Sequence, residues 1–285
     1  MRLWRFLLLI LSTSVALSSN SQGLLDELND DNDQTHFTEA TFKDTRIVNL
    51  QSNETTGAGV LHFVILHRFG KLNSGFYDLF GLDNADMKMS FDYGVTDGIT
   101  ISYARSNFQK TFEGSVKAKL LKQSTGARTM PFSVTWYSVA MYTTSREFEY
   151  THVQRLSYAH QAIITRKFNN NLSLALVPSL VHKNIIDPQT EVHDNFILGL
   201  GGRYKVSPRV SINGEYNLRL NAHENDPTHN GLSLGFDIET GGHVFQLHVT
   251  NSAGMFERSF LTENNGTWAN GDIYFGFNMS RVFSF

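Results

Sequence analysis

The chain has 285 residues, of which 18% are charged, 41% hydrophobic and 12% aromatic, with 22 Gly, 22 Phe, no Cys and a formal net charge of −3. Without cysteine there is no disulfide scaffold, no thiol nucleophile, no cysteine-ligated metal or haem attachment and no lipoprotein anchor. The near-neutral balance lacks the basic face that nucleic-acid binders use, and no cofactor or metal is expected.

Arg2 and Arg5 stand ahead of an apolar run at residues 6–11, which fades through Val15, Ala16 and Leu17 into Ser18-Ser19-Asn20-Ser21. This layout predicts a secretory signal peptide over residues 1–21, and the run is shorter than the roughly 20 apolar residues of a transmembrane helix. Residues 22–58 read as a periplasmic, partly disordered segment. Its acidic run (Asp26, Glu27, Asp30, Asp31, Asp33) is of the solvated kind and lacks the glycine and closing glutamate of an EF-hand loop. Residues 46–51 fit either a short periplasmic strand or a plug.

From Gly59 onward apolar residues recur at every second position. Leu61, Phe63 and Ile65 begin the series; Met87, Met89, Phe91 and Tyr93 follow, then Ile99, Ile101 and Tyr103, then Phe112, Val116, Ala118 and Leu120. The pattern continues through Val134 and Trp136, through Leu156 to Ile164, through Leu172, Leu174 and Leu176, and through Phe196, Leu198 and Leu200. Four segments near the end keep it almost without exception: residues 210–220, 232–238, 245–249 and 273–285. A period of two marks strands with one apolar face. The expectation is an all-β chain, with residues 59–285 forming a closed antiparallel transmembrane barrel of about twelve strands in meander order.

The connections alternate in kind. Residues 94–98, 168–171, 206–209 and 240–242 are tight and rich in turn formers, whereas residues 70–85, 143–151, 183–195, 221–230 and 251–270 are longer. Membrane barrels alternate in this way, with short turns on the periplasmic side and long loops outside. Two connections break the rule, residues 122–129 being long for a turn and residues 107–110 short for a loop.

The parity opposite the apolar set predicts the lumen. Its charged members are Lys88, Asp92, Glu113, Lys117, Lys119, Arg155, Arg203, Glu215, Arg219 and Asp237, with His248 beside them. Such residues are almost never fully buried unless paired, so a packed soluble core does not fit, although a sandwich with this face in solvent would. In a barrel of this size these side chains largely fill the lumen, which points to slow, selective passage. His160 falls on the lipid parity at mid-strand and signals either a bulge or a wrong register. His248 and Thr250 share a luminal face, as the histidine and nucleophile of an acyl-ester hydrolase would share one towards lipid.

The last strand sets Ile273, Phe275, Phe277, Met279, Phe283 and Phe285 on one face. It resembles the terminal signature of bacterial outer-membrane barrels, which implies that Phe283 and Phe285 carry the signal read by the barrel-insertion machinery. Arg281 departs from that face near a strand end, where it can snorkel. A wider resemblance covers most of the mature chain. His67-Arg68-Phe69-Gly70, Asp78-Leu79-Phe80-Gly81-Leu82-Asp83, Tyr93-Gly94-Val95-Thr96-Asp97-Gly98 and Tyr103-Ala104-Arg105-Ser106 are similar to an uncharacterised family of outer-membrane β-barrels from Bacteroidota-type bacteria, as are residues 40–47 and 243–254. The resemblance implies location and architecture and no substrate. The expected protein is an outer-membrane barrel in contact with lipid, a narrow channel or transporter for a small solute. A structural or partner-docking barrel and a hydrolase using His248 and Thr250 stand as alternatives.

Overall fold

The computed structural model describes residues 34–147, 149–240 and 243–284. The segment expected to be a signal peptide, the acidic run and Phe285 lie outside the described residues.

In chain order the strands are β1 (Thr35–Phe37), β2 (Val60–Lys71), β3 (Ala85–Thr96), β4 (Ile99–Ser106), β5 (Thr111–Leu121), β6 (Ser124–Gly126), β7 (Ser133–Thr143), β8 (Leu156–Lys167), β9 (Leu172–Lys183), β10 (Asp194–Lys205), β11 (Val210–Arg219), β12 (Gly231–Glu239), β13 (His243–Thr250) and β14 (Tyr274–Ser284). β1 and β6 pair with each other in a small unit of their own. The remaining twelve close into an antiparallel barrel, each strand beside its barrel neighbour in sequence, with β14 returning to β2. Closure leaves no strand edge unpaired, the condition for a sheet to sit in hydrocarbon.

Both irregular connections have local causes. The short one holds a single 3-10 turn at Phe108–Lys110, and the long one carries β6, so neither conceals a further barrel strand. The ladder between β8 and β9 breaks off opposite Pro178, which has no N–H to contribute.

The alternation is physical. Phe91, Ile101, Trp136, Leu176, Phe236 and Leu247 point outward and are exposed, while their strand neighbours Ser90, Thr100, Thr135, Val177, Asp237 and Gln246 point inward and are buried. A continuous outward belt of this kind is a lipid-contact surface. His160 keeps the outward parity, and β7 and β8 pair with no shift of register, so no bulge accounts for it. Its Nδ1 lies 2.8 Å from Ser138 Oγ and its ring stacks on Trp136, which satisfies the polar edge locally. Arg281 also faces outward and lies over the Phe283 ring.

The packed core sits inside the barrel. Tyr137, Val139, Met141, Ala159, Ile163, Ala175, Val177, Val181 and Ile197, on β7 to β10, face inward and pack against Phe42, Ile47 and Leu50 of the N-terminal segment and Phe256, Phe260 and Leu261 of the connection before β14. The larger apolar patch of the lumen thus lies along β7 to β10, interspersed with buried Thr135, Gln161 and Ser179, and the charged pairs Lys88–Glu113 and His62–Asp92 lie on β2 to β5.

Candidate functional site

Residues 39–57 run into the lumen and turn back at residues 47–50. Ile47 N donates to Leu50 O at 2.8 Å, and Arg46 and Gln51 face each other across an antiparallel bridge. Of the two structures open to residues 46–51, the segment takes that of a plug.

The tip of the plug is held by one carboxylate. Glu215 of β11 accepts the backbone N–H groups of Val48, Asn49 and Leu50 at 3.1, 3.0 and 2.9 Å. A tight turn leaves consecutive N–H groups pointing one way, and a buried anion satisfies them together. Around this cup, Arg68 Nη2 donates to Asn49 Oδ1 at 2.9 Å and Gln246 Nε2 donates to Ile47 O at 2.6 Å. The stem is tied as well. Lys117 Nζ donates to Thr45 O at 2.8 Å, His62 lies 3.3 Å from Asp44 and 3.7 Å from Asp92, and Lys43 pairs with Glu239.

Two inward glycines make room for the plug. A Cβ on Gly201 would stand 2.4 Å from Ile47 Cδ1, and one on Gly94 would stand 1.9 Å from Gly57 O. Any side chain at Gly94 therefore collides with the backbone of the segment.

The opposite end is filled by the connection between β13 and β14, which turns inward around a short helix, α1 (Glu257–Thr262). Glu257 is fully buried; Gln51 Nε2 donates to it at 2.9 Å and Arg46 Nη1 lies 3.5 Å away. Burial pushes the Glu257 carboxyl up, but the charges of Lys88 and Arg46 outweigh this and hold it below the ordinary glutamate range. Lys88 pairs with Glu113 at 2.6 Å and donates to Met255 O at 3.2 Å. Plug and inward connection thus meet at Glu257. On the wall around them Leu66, Lys88, Thr135, Gln161, Val177 and Thr250 are each 0% exposed.

Of the residues assigned to the lumen from sequence, Lys88, Asp92, Glu113, Lys117, Arg203, Glu215, Asp237 and His248 are buried and inward-facing. Lys119 is half-buried beside a bulge at the turn end of β5. Arg155 is not on the wall. It precedes β8 in the loop, where it donates to Thr143 O, Ser145 O and Tyr150 O at 3.2, 2.6 and 3.2 Å, because the strand starts one residue later. Arg219 closes β11 at the loop end and pairs with Asp226. His248 and Thr250 both face the lumen; His248 Nε2 lies 3.1 Å from Arg68 Nη2, and Thr250 Oγ1 accepts from Ser233 Oγ at 2.9 Å. Neither presents an atom to lipid.

Three loop-end connections and α1 frame a cleft of about 200 Å³. It holds Arg155, Lys183 and Arg258 together with Glu147, Glu191 and Glu263. Lys183 lies 2.5 Å from Glu191, and Arg258 lies 3.0 Å from Glu263. Among the described residues no group of three or more His, Asp or Glu is placed to hold a metal ion.

The sequence left residues 46–51 open between a strand and a plug, yet a signal for the plug was present on the strands. Met141, Ile163, Val177 and Val181 occupy luminal positions that a water-filled pore would not leave apolar.

The family model described as membrane bound beta barrel domain (DUF5777) matches residues 42–283. The chain belongs to this family. The match begins at Phe42, so it takes in the plug as well as the strands. Among curated proteins no sequence matches. Of solved structures, the KdgM porin is similar with a TM-score of 0.50 at 10% identity, over 78% of this chain and 99% of the porin. The NanC porin gives 0.48 at 8% identity, over 77% and 98%. Outer membrane phospholipase A from Escherichia coli gives 0.42 at 10% identity, over 85% and 95%. The likeness to the KdgM porin is one of fold.

Proposed function

We propose that this membrane-bound barrel resides in a bacterial outer membrane and passes a small polar solute only when its internal plug yields. The observation that carries this reading is the filled lumen: residues 39–57 from one end and the connection around α1 from the other meet at Glu257 and leave fully shielded wall residues between the two mouths. An open pore would hydrate Lys88 and Gln161. The plug is seated by the apolar contacts of Phe42, Ile47 and Leu50 and fixed in place by hydrogen bonds and ion pairs, and it is these polar ties that can exchange with water at modest net cost when it yields. The luminal placement of His248 and Thr250 speaks against lipid hydrolysis, since a membrane ester would have to cross the sheet to reach them.

The test is conductance in planar bilayers. The wild-type protein should be closed most of the time, and Glu215→Ala, which removes the acceptor of three plug amides, should produce openings. A barrel that serves only as scaffold or docking body stays silent in both. Silence of a Glu215→Ala variant that keeps its heat-modifiable gel mobility, or a standing wild-type conductance, overturns the proposal.

A further inference from the structure

The cleft at the loop end has a composition that selects its ligand. It carries three cations, Arg155, Lys183 and Arg258, and three carboxylates, Glu147, Glu191 and Glu263, so its formal charge is zero. The cations already have partners within the fold. Lys183 reaches Glu191 at 2.5 Å and Glu263 at 3.9 Å; Arg258 reaches Glu263 at 3.0 Å and Thr143 Oγ1 at 3.1 Å; Arg155 is spent on three backbone carbonyls.

A charged ligand that competes for Lys183, Arg258, Glu191 or Glu263 would have to break one of these pairs and leave the other member without its partner, which offsets what the new contact returns. A hydroxyl avoids that cost. It accepts from the cation and donates to the carboxylate of the same pair, so a ligand with several hydroxyls bridges the pairs without separating them. The floor of the cleft bears on the plug: Arg258 faces the cleft, while Glu257, its neighbour on α1, contacts Arg46 and Gln51. Occupancy of the cleft is therefore one helical residue away from the latch that closes the lumen.

We infer that this cleft is a recognition site for a small, uncharged polyhydroxylated solute of monosaccharide size. The inference rests on the gated-barrel reading for its role but not for its test, because binding is read on the closed protein.

Saturation-transfer NMR on the detergent-solubilised full chain tests it with four probes: glucose, anionic gluconate, cationic glucosamine and zwitterionic serine. Glucose should bind saturably and the other three more weakly. Glu191→Gln removes one pair from the cleft and should weaken glucose binding about tenfold or more. Ser145→Trp, which fills the mouth from a loop, should abolish it while the heat-modifiable mobility shift is retained. No saturable glucose binding, equal or tighter binding of gluconate, glucosamine or serine, or glucose binding that survives both substitutions overturns the inference. Each of these results stands whatever the bilayer recordings show.

Discussion

Glu215 is the residue on which the plug depends most directly. Its two carboxylate oxygens accept three consecutive backbone N–H groups, and all of these atoms are buried. Replacing it by alanine leaves donors with no water to turn to, at about 1–3 kcal/mol each. Limited proteolysis should then cut within residues 39–57 of Glu215→Ala, while the wild-type segment stays protected and Glu215→Gln, which keeps one acceptor, falls between. A second carboxylate makes a pH prediction. Lys71 Nζ and Asn73 Nδ2 donate to Asp272, as does the Thr267 amide, and together they hold its carboxyl down at about 2. A depressed carboxylate pKa means that the tie is complete above the ordinary aspartate value and is lost as pH falls through about 2. Carboxyl NMR should show that low midpoint, and Lys71→Met should move it up towards the ordinary value.

At the level of elements, the plug and the strand faces are matched by size. Gly201 on β10 sits under Ile47, so Gly201→Leu overpacks the seat by about 1–3 kcal/mol and should raise protease access to residues 39–57. Gly114 on β5 points outward into open space, and Gly114→Leu should leave both plug protection and gel mobility unchanged. The contrast reads parity directly, since both are strand glycines. The strands themselves were legible from period-two patterning, and the final strand most of all: Phe275, Phe277 and Met279 alternate with buried Gly276, Asn278 and Ser280. Residues 45–53 lacked any such pattern because this part of the plug is buried throughout and has no solvent face to alternate against. His160 looked like an error of register for a related reason: its partner Ser138 lies on the neighbouring strand, and cross-strand pairing does not show in a single strand's pattern.

For the whole molecule, the plug completes a hydrophobic core whose other half is the barrel wall. Phe42, Ile47 and Leu50 bury themselves against β7 to β10, so truncating any one costs more than loss of a surface contact. Ile47→Ala and Leu50→Ala should each destabilise the protein by about 2–5 kcal/mol, seen as a lower temperature for the heat-dependent gel shift. The polar wall behaves differently. Lys88→Met leaves Glu113 and Glu257 facing each other with one cation fewer, at about 3–5 kcal/mol, and that loss should be partly recovered in Lys88→Met with Glu113→Gln. A barrel with a simple aqueous lumen would show neither effect.

The amino-acid sequence by itself determined that the chain is all-β, that its strands number about twelve, and which parity faces outward, because each of these follows from local alternation and from turn chemistry a few residues long. It also placed Lys88, Glu113, Lys117, Glu215 and Asp237 on the inner face. Whether that face meets water or protein was decided only by the tertiary structure. The partner of Glu215 lies 165 residues or more away in the chain, and Arg46 meets Glu257 only because both ends of the barrel fold inward. Alternation records which side of a sheet a residue is on; it holds no record of what fills the space across from it.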